Sequence, residues 1–211
     1  MVASDGYEVM LFPLPYLYIT QGENGSYSHA GILAIDFVGW TGSHQQYQAP
    51  MYAPCSCRCV ATIDAYNNGR VFQSTNRVHT PNGLMYVNFM CFHDDNPIAS
   101  VGSTFRQGDI FAHTGTAGNV TGDHTHFNTA SGTYAGWTHV PPDNNGELVN
   151  STHIYETCYV NDTTLVVTYS YPWVNYSGNL EFNKRKFPWV LYARKLRNFK
   201  TYIWQIQSFI V

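Results

Sequence analysis

Nine histidines stand in a chain of 211 residues, and two of them flank a single threonine in His124-Thr125-His126. The stretch from His124 to Ala130 alternates as a strand does. That places His124, His126 and Asn128 on one face and Thr125, Phe127 and Thr129 on the other. Both imidazoles can therefore enter one site. Imidazole nitrogen is a good zinc ligand, and a catalytic zinc takes three protein ligands while keeping a further position for water. A His-x-His pair alone is common, so it needs partners.

The partners are His29 and Asp36, in Ser28-His29-Ala30-Gly31-Ile32-Leu33-Ala34-Ile35-Asp36-Phe37. Asp36 interrupts an apolar run, and a carboxylate buried between Ile35 and Phe37 is costly unless it is paired or binds a metal. The plainer alternative is an aspartate that caps backbone or pairs with an arginine. Before residue 182 the available arginines are Arg58, Arg70, Arg77 and Arg106. Seven residues separate His29 from Asp36. An odd offset sends two side chains to opposite faces of a strand, so a bulge or short turn near Gly31 is expected between them.

These residues need elements to hold them. The chain has 16 Tyr, 12 Phe and 5 Trp, is 44% apolar and only 12% charged. Tyr, Phe, Thr and Val favour strands, and the many Gly, Asn, Asp and Pro residues favour turns, so the fold is expected to be mainly β, an antiparallel sheet or barrel. The first 28 residues read as irregular or edge structure. Strands are expected at 31–37, in two segments of 48–66 around Pro54, and at 70–73, 84–92, 108–114 and 124–130. From 131 to about 150 the chain reads as loop, and 155–170 as one or two further strands. Length favours a single domain, residues 1–180, followed by an extension at 181–211 that carries Phe187-Pro188-Trp189 and a run of basic residues. That extension reads as a terminal element docked by its aromatics, or as a contact to a cell wall or membrane surface.

Charge and cysteine usage narrow the partners. Residues 1–181 carry a formal charge of −10 and residues 182–211 one of +7, which together make the net −3. An acidic body does not suit nucleic acid, and that partner class is excluded. Five cysteines are an odd number for a disulfide framework. Cys55, Cys57 and Cys59 alternate along a strand-like stretch and read as small buried hydrophobes rather than a metal site. The apolar stretch from Met10 to Ile19 is broken by Pro13 and Pro15, and no basic segment precedes it. It is expected to be neither a secretory signal nor a transmembrane segment, so a substrate outside the cytoplasm must be reached by another route.

Read in order, the motifs resemble the LytM/lysostaphin-like zinc endopeptidases, which cleave peptide bonds in bacterial cell walls. The matching parts are His29-Ala30-Gly31 with Asp36, Tyr52-Ala53-Pro54, and Tyr86-Val87-Asn88-Phe89-Met90-Cys91-Phe92-His93. Gly108-Asp109-Ile110, Gly115-Thr116-Ala117-Gly118 and Thr121-Gly122-Asp123-His124-Thr125-His126-Phe127 follow. The resemblance covers roughly residues 28–130, and its specificity lies in the order of the parts. It implies a lysostaphin-like barrel-sandwich hybrid of the duplicated hybrid type. It also implies one Zn2+ per chain held by His29, Asp36 and His126, with His93 and His124 as catalytic histidines that do not bind the metal. The implied substrate is bacterial peptidoglycan, cut in its stem peptides or cross-bridges. Two features depart from the family pattern. The His-to-Asp separation is longer than usual, which resembles the peptidase domains of phage tail-tip proteins, and Asn128 stands where the family often has Glu. With no signal segment expected, this points to a phage tail-associated lysin or an endolysin. Such a protein is expected in the virion beside other tail proteins, or released from the host cytoplasm at lysis.

Three rivals share parts of this pattern. A phosphocarrier domain of the sugar-permease type would use two histidines without metal, but Asp36 and His-x-His speak against it. A cysteine peptidase lacks a cysteine in a nucleophile context. A non-catalytic wall-binding or structural tail module on the same fold predicts a missing ligand or catalytic histidine, and the sequence retains all five positions. The remaining histidines, His44, His79, His113, His139 and His153, read as surface or packed residues, with His79 the replacement for His93 should the middle strand be shifted. Asp94 and Asp95 read as a solvated turn.

Overall fold

Strands rich in Phe, Val, Thr and Tyr assemble into one ten-stranded sheet. The computed structural model describes residues 1–64, 67–140 and 145–160, with short pieces at 165–166, 171–173 and 180–181. The sheet's main path runs Thr104–Phe105, Cys57–Ile63, Gly69–Ser74, Val87–Cys91, Thr125–Ser131, Ala34–Trp40, Tyr16–Gln21 and Leu165–Val166. Neighbours on this path are antiparallel except Leu165–Val166, which runs parallel to Tyr16–Gln21. Among the described residues the one helix is Ile154–Thr157. The fold is therefore mainly antiparallel β, as the composition predicts. No described helix is long and apolar enough to cross a membrane.

Both faces of the sheet are covered, which is why its central strands Val87–Cys91 and Thr125–Ser131 are buried almost throughout. One face carries the main core, where Leu17, Ile19, Ile35, Phe37, Phe89 and Phe127 pack together. All five cysteines are buried in that core as free thiols, in keeping with their reading as small hydrophobes. On the other face Ile63, Val71, Met90, Phe92 and Ala130 lie beneath a hairpin formed by Trp137–Val140 and Asn145–Leu148. Asp36, His126 and Asn128 belong to this second face, at the strand ends where a groove opens.

Several elements differ from expectation for local reasons. Within the first 28 residues, expected as irregular or edge structure, Tyr16–Gln21 is a full strand near the sheet edge, between Ala34–Trp40 and the two-residue Leu165–Val166. The expected strand at 31–37 begins only at Ala34, because the chain turns at His29–Ile32 first. The expected strand at 84–92 divides at Tyr86. Gly83–Met85 pairs with Val78–Thr80, while Val87–Cys91 joins the main sheet. The loop expected at 131–150 contains the covering hairpin, and the strand expected from residue 155 opens instead with the helix. The extension expected at 181–211 lies outside the described residues from 182 onward.

Candidate metal centre and active site

His126 and Asp36 meet because their strands pair in register, with the two residues directly opposite and opposite residues sharing a face. His29 comes from outside the strand. The Ile32 N–H donates to the His29 carbonyl at 3.0 Å, and Gly31 takes φ +80° within that turn. Only glycine adopts this left-handed backbone without penalty. The short turn removes the strand-parity conflict posed by the seven-residue offset.

The three side chains form a small triangle. His29 Nε2 lies 3.1 Å from Asp36 Oδ1, His126 Nδ1 lies 3.3 Å from the same oxygen, and the two nitrogens are 3.1 Å apart. Their outer nitrogens are tied to backbone carbonyls. His29 Nδ1 is 3.0 Å from the Gly22 oxygen and His126 Nε2 is 3.0 Å from the Gly146 oxygen. A carbonyl only accepts, so those outer nitrogens carry the hydrogens, and each neutral ring turns a lone pair inward. Two nitrogen lone pairs and a carboxylate oxygen thus converge, and buried Asp36 Oδ1 has no hydrogen-bond donor.

Such a cluster is repulsive unless a cation sits in it. In a tetrahedral zinc site with bonds of about 2.0–2.1 Å, ligand atoms stand about 3.3–3.4 Å apart. The observed separations are close to that spacing, and the donor set suits zinc. Burial alone would raise the Asp36 carboxyl. Its interactions with His126 and then His29 outweigh that effect and carry it well below the usual carboxylate range, and a bound cation would act in the same direction. The group is ionised either way.

His93 and His124 stand beside this triangle on the groove wall. His124 immediately precedes the His126 strand, and its backbone bridges to Gly115. His93 lies two residues beyond the adjacent strand Val87–Cys91. Its φ of +82° is unusual for a residue with a side chain and marks local strain of the kind found at functional sites. Hydrogen bonds hold the strained residue in place. Its N–H donates to the Asn67 carbonyl at 2.7 Å, and its carbonyl accepts from the Ala117 N–H at 3.0 Å. Gly115 lies against it so closely that an added Cβ would fall 2.2 Å from the His93 carbonyl oxygen.

Both of these rings donate through Nδ1, His93 to the Ala117 carbonyl at 2.9 Å and His124 to the Gly122 carbonyl at 2.8 Å. Each therefore offers Nε2 as an acceptor. The ring centroids are 4.6 Å apart, and His124 Nε2 is 3.9 Å from Asp36 Oδ2. Burial, followed by the His124 imidazole, pushes the His93 imidazolium down to about 3, against the opposing pull of the Ala117 carbonyl. His93 is therefore neutral at ordinary pH. The five residues singled out in the sequence thus lie together, with Asp36, His93, His124 and His126 lining the groove and His29 buried behind it.

No protein-family model matches the chain. Over 174 residues it is 38% identical to Morphogenesis protein 1 of Bacillus phage B103, a match covering 81% of this chain and 45% of that protein. The chain therefore spans less than half the length of this relative. Similarity to solved structures is partial. A zinc-containing peptidase from Vibrio cholerae matches at 18% identity over 62% of this chain and 42% of its own, with a TM-score of 0.41. LytU matches at 25% identity over 54% and 73%, with a TM-score of 0.39. The catalytic domain of lysostaphin from Staphylococcus simulans matches at 16% identity over 55% and 79%, with a TM-score of 0.38.

Three further histidines have their acidic partners elsewhere. His79 pairs with Asp5 at 2.8 Å, His153 with Glu23 at 2.6 Å, and His113 lies 3.7 Å from Asp94. His79 thus does not replace His93. The pair expected to be a solvated turn is only partly so. Asp94 is buried and accepts the Asn96 and His113 N–H groups, while half-buried Asp95 accepts from Thr116.

Sequence reasoning missed the groups that hold the site in place. Gly22 and Gly146 act through backbone carbonyls, which no residue type advertises. Asp123, next to His124, is buried and accepts from Thr114 Oγ1 at 2.6 Å and from the Gln48 N–H at 2.8 Å. A second acid beside His-x-His was its only visible signal. Asn128, in place of the Glu common in the resembled family, donates to the Leu33 carbonyl and Ser151 Oγ and accepts from the Leu148 N–H.

Proposed function

We propose that this chain is a zinc-dependent endopeptidase that hydrolyses peptide bonds in the stem peptides or cross-bridges of bacterial peptidoglycan. The observation that carries the reading is the convergence of three lone-pair donors, from His29, Asp36 and His126, beside two further imidazoles on an open groove. His29, Asp36 and His126 would hold the metal. Bound zinc supplies a water acidified to a pKa of about 7 and a Lewis acid for the scissile carbonyl.

The chain's own residues supply the rest. His93 and His124 each keep Nδ1–H on a backbone carbonyl, so each presents Nε2 to the groove in a fixed tautomer. One takes the proton of the attacking water at Nε2 and, once protonated, delivers it to the leaving amine; the other can donate to the developing oxyanion only in a form that carries a proton on Nε2. Those carbonyls keep both rings oriented before substrate arrives. Wall peptides as substrate follow from the order of motifs shared with the lysostaphin-like enzymes. The 38% identity to a phage morphogenesis protein supports a phage association, within which we place the chain in the virion beside tail proteins rather than as an endolysin released at lysis.

Purified peptidoglycan digested by the protein, with and without a chelator, is the test, read by mass spectrometry of the fragments. New peptide termini that vanish with chelator and return with added zinc are expected. Fragments unaffected by the chelator, or no fragments at all, would overturn the zinc endopeptidase.

A further inference from the structure

Gln21 has a side chain that the preceding strand pattern should have sent to the other face. In Tyr16–Gln21 the buried residues Leu17 and Ile19 point into the main core, and Gln21 follows at the same parity. The register with Ala34–Trp40 shifts between Ile19, opposite Phe37, and Gln21, opposite Asp36. This irregularity moves Gln21 to the groove face and places it across from the carboxylate. A polar side chain there is 8% exposed, so its contacts carry weight.

Those contacts determine which way the amide points. Gln21 Oε1 accepts the Ser28 N–H at 3.0 Å, so the nitrogen end must face the other way. Gln21 Nε2 donates to Asp36 Oδ2 at 3.0 Å and to Ser28 Oγ at 2.7 Å. One amide therefore ties the carboxylate of Asp36 to the residue just before His29. Asp36 Oδ1 is left without a donor and turned toward the two imidazoles.

We propose that Gln21 is a positioning residue that holds Asp36 Oδ2 away from the metal, so that the aspartate binds through Oδ1 alone and a position stays open for water. The inference rests on the reading that His29, Asp36 and His126 hold a metal. Losing the amide frees Oδ2 to rotate toward the same ion and compete with the water. Reversing it, with an acceptor where the donor stood, repels Oδ2 and loosens both Asp36 and the His29 turn.

The test uses the whole chain loaded with Co2+ for visible absorption and with Zn2+ for chelator competition, comparing wild type, Gln21→Ala and the equal-volume Gln21→Glu. Melting curves taken alongside separate loss of folding from loss of positioning. Gln21→Ala is expected to lower the Co2+ absorption intensity as coordination number rises. Its kcat should fall by roughly 10-fold or more with KM little changed, and Gln21→Glu should lower zinc affinity by about 10–100-fold. Folded variants that match wild type in Co2+ spectrum, zinc affinity and kcat overturn the role of Gln21 alone. A wild-type chain that takes up neither ion overturns the metal reading and the inference with it.

Discussion

At the residue scale, the cost of burying charge is what makes the site visible. Asp36 is an ionised group inside an apolar strand, and the structure answers the implied need with His29 and His126 at 3.1 and 3.3 Å. The His-x-His pair then divides. His126 turns into the triangle with its outer nitrogen on Gly146, while His124 stops 3.9 Å from Asp36 Oδ2 with its free nitrogen at the groove. His126→Ala should therefore abolish both bound zinc and wall hydrolysis. Its melting temperature should no longer rise when zinc is added. His124→Ala should keep stoichiometric zinc and lose about 10²–10⁴-fold in rate, the usual loss for a general acid or base. Metal analysis and hydrolysis rates on the same samples check both. Normal hydrolysis by His124→Ala would show the division of roles to be wrong.

At the scale of elements, the hairpin Trp137–Val140/Asn145–Leu148 does more than cover the second face. Its Gly146 carbonyl fixes the His126 tautomer, and its Leu148 N–H is bonded to Asn128 on the same strand as His126. Gly146 sits so tightly that an added Cβ would fall 2.7 Å from the Phe92 ring. Phe92 in turn stacks on the His126 imidazole, with centroids 5.4 Å apart. It cannot yield without disturbing His126. Gly146→Ala should thus cost about 1–3 kcal/mol of stability by overpacking and weaken zinc binding by roughly 10–100-fold. Denaturant melts of the chelated protein and zinc competition separate the two effects. Unchanged zinc affinity would mean that the hairpin is cover alone.

At the scale of the molecule, burial of titratable groups limits the pH range of stability. His93, held down to about 3, stays neutral in the folded chain, whereas in the unfolded chain it titrates near about 6.5. Between those values the unfolded state binds the extra proton. The contribution is therefore complete above about pH 6.5 and is lost as pH falls toward about 3, at up to about 1.4 kcal/mol per pH unit. Asp36, held below its usual range, adds a loss of the same sign once pH drops below the ordinary carboxylate range. At the alkaline end, burial pushes the Cys158 thiol up to about 12. Its contribution is present below about 8.5, the unfolded value, and is lost as pH rises from there toward about 12. Stability of the metal-free protein should form a plateau between about pH 6.5 and 8.5. His93→Gln should flatten the slope between pH 6 and 4 in denaturant melts, and an unchanged slope would assign the acid loss to other groups.

Residue type and order were enough to determine the fold class and the five histidine and aspartate positions that come together at the groove and just behind it. Burying Asp36, alternating along a strand and turning at glycine are local rules that act on neighbours in the chain. The tertiary structure decided what those rules cannot reach. The bulge that turns Gln21 inward arises from register with another strand. The carbonyls of Gly22 and Gly146 act through backbone atoms that every residue shares. The strand Tyr16–Gln21 and the covering hairpin acquire their roles from the sheet face they meet. The orientations of His126 and His93 are set by Gly146 and Ala117, 20 and 24 residues away in the chain, so the residues were legible beforehand and these tautomers and supports were not.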